Sequence, residues 1–185
     1  MKNSPKNFRP GWDAYFMALA KLAASRATCL SRHCGCVIVR EKQIISTGYV
    51  GSMSGVTHCI DEGKCYRRSI GAADAGKYDF CRSIHAEANA VALAAKAGVS
   101  LDGGTAYVTL FPCYTCTKLL VRAGIKEIVY ELDYASKDKK RDKHWKEVYQ
   151  DTRIRVRQLL LSEEEKKFFC AFIKNITSER KLKSQ

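Results

Sequence analysis

Apolar residues recur at helical spacing near the start of the chain, and this pattern predicts a first helix over residues 12–27. The Pro10-Gly11 pair precedes it as a helix start signal. Two runs rich in β-branched residues follow, at 34–40 and 43–51, and predict strands. The Glu41-Lys42 pair between them predicts a tight hairpin.

The middle of the chain loses this periodicity. Residues 52–82 are rich in glycine, serine, aspartate and cysteine. An irregular segment of that length is unusual inside a compact domain unless it is functional or held in place. Because cysteines recur through it, we expect a metal to pin this insert to the rest of the domain.

Helical patterns return at 85–97 and 113–123, and short apolar strands are predicted at 106–110 and 125–131. Two strand–helix–strand units in series predict parallel pairing with right-handed crossovers.

The last part of the chain adds an edge strand and a final helix. Residues 153–157 alternate between arginine and aliphatic side chains, as a half-exposed edge strand does. Ser162, followed by three glutamates, predicts a helix N-cap with an acidic first turn. Residues 177–185 predict a flexible basic tail. We therefore predict a single α/β domain over residues 1–185, a three-layer α/β/α sandwich with a mixed sheet of about five strands.

Composition narrows the class of protein. Hydrophobic residues make up 46% of the 185-residue chain, which argues against disorder. The uncharged apolar runs are too short to cross a bilayer, and no signal-type segment follows the N-terminal basic residues. We therefore expect a cytoplasmic, soluble protein. The formal net charge is +13, and such a surface attracts phosphate on a mononucleotide, RNA or DNA alike.

Two short motifs carry the candidate chemistry. The first, H-A-E, begins at His85, and the second, P-C-Y-T-C, begins at Pro112. The H-x-E and P-C-x-x-C pattern is that of zinc nucleobase deaminases. His85, Cys113 and Cys116 supply three zinc ligands, and the fourth position stays open for the water that a catalytic zinc requires. Zinc lowers the pKa of that water to roughly 7, and Glu87 is close enough to move its proton.

Each motif alone is weaker than the pair. A lone C-x-x-C also suits a redox pair or a structural zinc knuckle. A purely structural zinc would usually show a fourth protein ligand nearby. Both motifs together, each opening a helix with a strand between them, favour catalysis.

Further stretches of the chain, together with these motifs, carry a resemblance to a known family. They are R-A-T-C at 26–29, V-I-V-R at 37–40, S-T-G-Y at 46–49, H-C-I-D-E-G at 58–63, C-R-S-I-H-A-E-A-N-A at 81–90, Y-V-T at 107–109, A-G-I-K at 123–126, and Tyr134. Together with the motifs they resemble the deoxycytidylate (dCMP) deaminases of the cytidine deaminase superfamily. The cysteine-bearing insert is the most discriminating part, since simple nucleoside and tRNA deaminases usually lack it.

The resemblance implies hydrolytic conversion of dCMP to dUMP and ammonia. In that reaction the zinc-bound water attacks C4 of cytosine, with Glu87 as the proton shuttle. The resemblance identifies Tyr134 with an aromatic residue that lies against the pyrimidine. It also implies a homo-oligomer, a hexamer in many members, activated by dCTP and inhibited by dTTP.

The chain departs from the family at two places near the expected pocket. The family usually has Gly-Tyr-Asn-Gly where this chain has Val50 in place of the asparagine, and valine cannot hydrogen-bond the sugar or nucleotide. The family usually has Val-Gly-Ala where this chain has Cys34-Gly35-Cys36. Both departures bear on the substrate and on dCTP or dTTP control, and neither touches the zinc chemistry.

Nine cysteines in a chain without a secretion signal indicate metal binding rather than disulfides. Four of them are predicted to form a second, closed zinc site that clips the insert: Cys29, Cys59, Cys65 and Cys81. His58 is the alternative ligand for one position. Small buried thiols are a fair rival explanation for Cys34, Cys36 and Cys170.

For the substrate we predict a free cytosine deoxynucleotide 5′-phosphate. The glycine- and serine-rich loop at 48–55, which contains Val50 and Ser52, allows backbone N–H groups to approach a phosphate. Arg26 is predicted to supply the charge, and the resemblance implies that Tyr134 contacts the base.

Two other functions stay open. A deaminase of a polynucleotide, single-stranded DNA or tRNA, is favoured by the basic C-terminal quarter, although few aromatic residues interleave with its lysines. A zinc-stabilised binding module without catalysis would leave Glu87 idle.

Overall fold

The computed structural model describes residues 8–72, 79–134 and 139–174, so the predicted tail at 177–185 lies outside it. In chain order its elements are α1 (Trp12–Ala24), β1 (Gly35–Arg40), β2 (Gln43–Tyr49), β3 (Gly51–Ser52), α2 (Cys59–Glu62), α3 (Tyr66–Ser69), β4 (Ser83–Ile84), α4 (Ala86–Ala97), β5 (Thr105–Leu110), α5 (Tyr114–Arg122), β6 (Glu127–Leu132), α6 (Lys139–Thr152), β7 (Arg155–Gln158) and α7 (Glu163–Lys174).

Five strands form one mixed sheet in the order β2-β1-β5-β6-β7, which confirms the predicted sheet. Strand β1 is antiparallel to β2 and β5, whereas β5, β6 and β7 pair in parallel. Glu41 and Lys42 have φ values of 51° and 62°, which is the left-handed geometry of a tight hairpin turn. Of the two predicted strand–helix–strand units, β5–α5–β6 pairs in parallel as expected, whereas β2 and β5, the strands of the first unit, are not neighbours. The hairpin folds β2 onto one edge of β1, so β1 lies between β2 and β5.

The side chains of β1 point alternately into two layers, as a strand's period of two requires. Val37 and Val39 pack on the α1 side, whereas Cys36 and Ile38 pack on the α4 and α5 side. These two apolar layers on opposite faces confirm the three-layer sandwich. No helix in the described part of the chain is long and apolar enough to span a membrane.

Helix α4 lies unusually close to strand β2. A Cβ atom at Gly48 would collide with the backbone of Ala86, so only glycine permits this approach. Ser46 Oγ donates to the carbonyl of Ala90 at 2.6 Å, and Asn89 Nδ2 donates to the carbonyl of Tyr49 at 2.7 Å. The sheet therefore fixes the N-terminal end of α4, where the first motif begins.

The insert contains two single-turn helices, α2 and α3, which the loss of periodicity did not predict. Arg82 holds them: its guanidinium donates to Glu62 at 2.8 Å and lies 3.6 Å from the ring centroid of Tyr66. The backbone N–H groups of Ile60 and Ser52 both bond to Thr28, at 3.2 Å each. These contacts tie the insert to the segment that follows α1.

The predicted edge strand and the predicted capped helix near the C-terminus are both present. Strand β7 forms the edge of the sheet beside β6. Ser162 caps α7 by the reciprocal pattern of a capping box. Its Oγ accepts from the N–H of Glu165 at 3.2 Å, and the Glu165 carboxylate accepts from the Ser162 N–H at 2.8 Å.

Candidate metal centre and active site

The two motifs meet at the N-terminal ends of α4 and α5. His85 and Cys113 each occupy the residue just before a helix, in extended backbone, and Cys116 lies in the first turns of α5. The Nδ1 atom of His85 is 3.4 Å from Cys113 Sγ and 3.5 Å from Cys116 Sγ. His85 was predicted inside the first helical turn but precedes it, so its side chain is directed from an N-cap position.

The spacing of these three atoms fits a zinc ion. All three ligand atoms lie within 4.8 Å of one another. Tetrahedral zinc with ordinary Zn–N and Zn–S bonds separates a nitrogen from a sulfur ligand by about 3.6 Å. Three protein ligands leave the fourth position free, as in catalytic rather than structural zinc sites.

The electrostatics of the cluster favour a negatively charged sulfur. Hydrogen bonding from Cys116, with a further contribution from His85, lowers the pKa of Cys113 to about 4. The pKa of Cys116 is raised because its thiol donates to Cys113 and because it is buried. The hydrogen bond with Cys113 raises the pKa of His85. The positive ends of two helix dipoles add to this preference for thiolate.

Glu87 lies in the first turn of α4, two residues after His85, and its side chain is 7% exposed. Burial raises the pKa of its carboxyl, and the charge of His85 opposes that shift. A carboxyl with a raised pKa is suited to exchange protons with a substrate near neutral pH.

A cavity of about 340 Å³ opens above the cluster. His85, Glu87 and Cys113 lie among its lining residues, and Val50, Phe111 and Tyr134 contribute apolar and aromatic surface. Three arginine side chains also line it: Arg32, Arg67 and Arg68. The structure thus brings Val50 and Tyr134, two of the four predicted substrate contacts, to the same space as the metal ligands.

The other two predicted substrate contacts lie elsewhere. Arg26 is exposed after the end of α1, and neither it nor Ser52 is among the described residues that line the cavity. Sequence reasoning missed Arg32, Arg67 and Arg68. The adjacent arginines after Cys65 were a signal for a charged site, but without periodicity nothing indicated which way they face.

The four cysteines predicted to bind a second zinc are not gathered into a closed site. Cys29, Cys65 and Cys81 line the cavity together with Cys34, whereas Cys59 is buried at the start of α2. Within the described ranges, the His85 cluster is the only group of three or more candidate ligands in mutual reach. The second zinc therefore stays a prediction.

Some polar atoms around the insert lack a hydrogen-bond partner among the described residues. They are the buried atoms Ser52 Oγ, His58 Nδ1 and Ser83 Oγ. Ser52 and Ser83 face each other in the β3–β4 pair. Buried polar groups in folded proteins are normally satisfied, so this unpaired imidazole nitrogen next to Cys59 is a candidate metal ligand.

Helix α6 supplies an aromatic cover that sequence analysis did not assign to the site. Trp145 is 7% exposed and packs with Cys113 and Cys116. Its ring lies nearly parallel to that of Tyr114, at 15° and 6.4 Å between centroids. Trp145 and Tyr149 are four residues apart on α6, and this spacing was the available signal for a shared buried face.

An open histidine–cysteine–cysteine site beside a buried carboxylate, carried on this fold, defines a zinc-binding α/β protein of the deaminase class. The chain belongs to the cytidine and deoxycytidylate deaminase zinc-binding family, whose sequence pattern it matches over residues 10–132. The matched stretch contains both motifs and the insert.

Named relatives agree with this assignment. The deoxycytidylate deaminase of Schizosaccharomyces pombe is 38% identical over 157 residues, and that of Saccharomyces cerevisiae is 41% identical over 156. These matches cover 85% and 84% of this chain but only 47% of each yeast protein. The ComE operon protein 2 of Bacillus subtilis is 40% identical, over 84% of this chain and 75% of that protein.

A solved structure shares the fold. The dCMP deaminase from the cyanophage S-TIM5, in complex with dCMP and dUMP, superposes with a TM-score of 0.62 at 25% identity. The match covers 83% of this chain and all of the phage protein.

Proposed function

We propose that this chain deaminates dCMP by hydrolysis, giving dUMP and ammonia. The observation that carries the proposal is the cluster of His85, Cys113 and Cys116 beside buried Glu87. Three of these residues, His85, Glu87 and Cys113, line one cavity. The yeast relatives named deoxycytidylate deaminase and the phage enzyme that binds dCMP and dUMP support the choice of substrate. An enzyme of free nucleotides would act in the cytoplasm, as composition suggested.

In this proposal His85, Cys113 and Cys116 hold a zinc ion, and Glu87 moves the protons. Zinc, when bound, would activate a water molecule for attack on C4 of cytosine. Glu87 would accept one proton from the attacking water and deliver it to the ring nitrogen, and would then pass the second proton of that water to the departing amine, which leaves as ammonia. Its burial suits this role, because a raised pKa makes the carboxylate a stronger base for the proton of the attacking water.

The walls of the cavity suit a pyrimidine nucleotide. Tyr134 and Phe111 offer aromatic surface to a flat base. Val50 is 5% exposed, and its backbone N–H and carbonyl are bonded to Cys34 and Thr28, both at 3.0 Å. The backbone polar groups of Val50 are therefore already used within the protein, and its apolar side chain would offer the ligand only a van der Waals contact. We infer that the sugar is recognised through neighbouring groups or by shape.

We assign the 5′-phosphate to the arginines that line the cavity rather than to Arg26. Guanidinium groups bind phosphate through charge-assisted, often bidentate hydrogen bonds. Arg32, Arg67 and Arg68 border the same space as Glu87, whereas Arg26 does not. Arg67 and Arg68 belong to the insert, so the insert would contribute to substrate selection.

We also propose the second, structural zinc. Three of the four predicted ligands line one cavity, and buried His58 Nδ1 has no hydrogen-bond partner among the described residues. Hydrogen bonds and arginine charges outweigh the effect of burial and lower the pKa of Cys65, which favours a ligating thiolate. Binding would require the loop thiols to draw together.

Assembly and regulation are proposed from the family resemblance alone. We expect a homo-oligomer, a hexamer, that dCTP activates and dTTP inhibits. Size-exclusion chromatography with light scattering tests the assembly, and dCMP turnover measured with and without each nucleotide tests the regulation.

A polynucleotide deaminase is the second candidate. The net charge of +13 and the three arginines at the cavity favour it, since they would also bind a phosphate backbone. An ammonia-release assay across dCMP, dCTP, deoxycytidine, CMP and single-stranded DNA separates the two. Turnover of dCMP well above the others supports the proposal, and strong activity on single-stranded DNA with none on dCMP overturns it.

A further inference from the structure

Two consecutive hydrogen bonds link helix α6 to the turn that contains Cys113, one of the proposed zinc ligands. The hydroxyl oxygens of Tyr149 and Thr117 lie 2.6 Å apart, and Thr117 Oγ1 donates to the carbonyl oxygen of Cys113 at 3.1 Å. A threonine hydroxyl has one proton to donate. Because that proton goes to Cys113, the Tyr149 hydroxyl is the donor of the first bond.

This chain of bonds lies largely inside the protein. Thr117 is 1% exposed, and Tyr149 is partly buried. A buried hydroxyl left without its partner would be costly, so both groups are held in this arrangement.

A hydrogen bond to the carbonyl of Cys113 affects the backbone of a proposed zinc ligand. Cys113 is the residue just before α5, and its carbonyl also accepts the N–H of Thr117 at 2.9 Å. Two donors fix the orientation of the peptide group that follows Cys113. That orientation constrains the Cα–Cβ bond of Cys113, from which Sγ reaches to 3.4 Å from His85 Nδ1.

We propose that Tyr149 is a positioning residue for the zinc centre, which acts through Thr117 to hold the Cys113 turn in ligand geometry. The proposal rests on the proposed zinc site. It goes beyond the family match, because that match ends at residue 132 and Tyr149 lies on α6. Trp145, on the same helix, covers the two thiols. One helix would thus both shield and orient the cysteine ligands.

Zinc retention tests this inference without any substrate. Purified zinc-loaded protein is mixed with a coloured zinc chelator, and the rate of zinc transfer is compared for the parent, Tyr149→Phe, Thr117→Val and the double variant. Groups that orient metal ligands typically change metal affinity by about 10- to 100-fold. We expect zinc loss to be about tenfold faster in each single variant. The double variant should lose zinc no faster than Thr117→Val.

Two control variants separate positioning from general destabilisation. The rings of Tyr149 and Tyr130 both pack on Phe111, at 5.5 Å and 4.8 Å between centroids. Tyr130→Phe removes the hydroxyl of the second ring and should leave zinc loss at the parent rate. Thr117→Ser keeps the hydroxyl and should restore slow loss. In cobalt-loaded protein, the sulfur-to-cobalt absorption band should shift in Tyr149→Phe and not in Tyr130→Phe.

Three results would overturn the inference. They are parent-like zinc loss in Tyr149→Phe, equal effects of the two tyrosine substitutions, and independent effects of Tyr149→Phe and Thr117→Val that multiply in the double variant. A second zinc held by the loop cysteines would give its own phase, which neither substitution should change. A chain that retains zinc but does not act on dCMP would refute the proposed function and leave this test intact.

Discussion

The Nδ1 atom of His85 lies 3.4 Å from the Sγ atom of Cys113, and each of these residues immediately precedes a helix. The two helices, α4 and α5, pack on the same face of the sheet. Their N-terminal ends therefore converge, and a cationic metal between them would be held by thiolates that the dipoles stabilise. The fold thus holds the three ligand atoms within 4.8 Å of one another on rigid elements, as a catalytic metal site requires.

Glu87→Gln tests the proton shuttle. The amide has almost the same shape as the carboxyl but cannot accept a proton, so zinc content and fold should be kept while turnover falls by at least about a hundredfold. Ammonia release measures turnover, and elemental analysis measures zinc. His85→Ala is the contrasting variant, since it should lose the catalytic metal as well. Near-normal rates in Glu87→Gln would show that the assigned mechanism is wrong.

The catalytic cluster could be predicted from the sequence because its residues follow local rules. His85, Cys113 and Cys116 lie at predicted helix starts, and the H-x-E and P-C-x-x-C spacing indicates that they bind zinc. The order of the strands in the sheet was harder to predict from the sequence. The position of β1 between β2 and β5 depends on which edge the hairpin exposes, and pattern alone does not carry that information.

The residues that sequence reasoning missed depend on contacts distant in the chain. Arg67 and Arg68 lie in a segment without periodicity, and only the folded insert brings them to the cavity. Tyr149 bonds Thr117 across 32 residues, from α6, a helix that contains neither motif. Arg26 shows the converse, because proximity in sequence to Cys29 did not place it at the cavity.

The second zinc has a direct measurement. Freshly purified protein should contain two zinc ions per chain by elemental analysis, and Cys59→Ser should contain one while keeping activity on dCMP. The reason is that a closed thiolate site contributes to folding rather than to the reaction. Cys170→Ser is the matched control, because Cys170 is exposed and should leave the zinc content unchanged. One zinc per chain in the parent protein would defeat this prediction.

The proposed phosphate site predicts that Arg68→Ala and Arg26→Ala will have different effects on the KM for dCMP. Arg68→Ala should raise KM for dCMP about tenfold, the effect of losing one charge-assisted hydrogen bond, with little change for deoxycytidine, which lacks the phosphate. Arg26→Ala should leave both substrates unaffected, because Arg26 lies outside the cavity lining. If Arg26→Ala alone narrows the preference for dCMP over deoxycytidine, the assignment made from the sequence is the correct one.

Val50→Asn examines the departure from the family pattern. Val50 is buried against the cavity with its backbone bonded on both sides, so asparagine would project an amide towards the ligand. If dCMP is the substrate, kcat/KM should rise by up to about tenfold, the value of one hydrogen bond, or stay unchanged. Urea unfolding of the same variant checks that a buried amide has not destabilised the protein. A sharp fall in activity at unchanged stability would mean that the pocket is shaped for another ligand.

The ion pair between Asp13 and Arg157 should make stability depend on acid pH. Arg157 donates to Asp13 at 2.9 Å and Tyr107 donates to the same carboxylate oxygen at 2.6 Å, which joins α1 to β7 and β5. The hydrogen bond from Arg157, with help from Tyr107 and against the effect of burial, lowers the pKa of Asp13. A lowered folded-state pKa stabilises the protein above the unfolded value of about 3.9, and that stabilisation is lost as pH falls through the folded value.

Asp13→Asn should therefore lower the free energy of unfolding by about 1 kcal/mol at pH 7, since both partners are partly exposed to solvent. The gap between parent and variant should stay constant down to about pH 5 and close as the pH falls below about 4. Urea denaturation at pH 7, 5 and 3 measures it. Asp102→Asn is the control: the Asp102 carboxylate is 75% exposed and 4.0 Å from Lys126, so this substitution should change little at any pH. A gap between parent and Asp13→Asn that widens in acid would contradict the pairing.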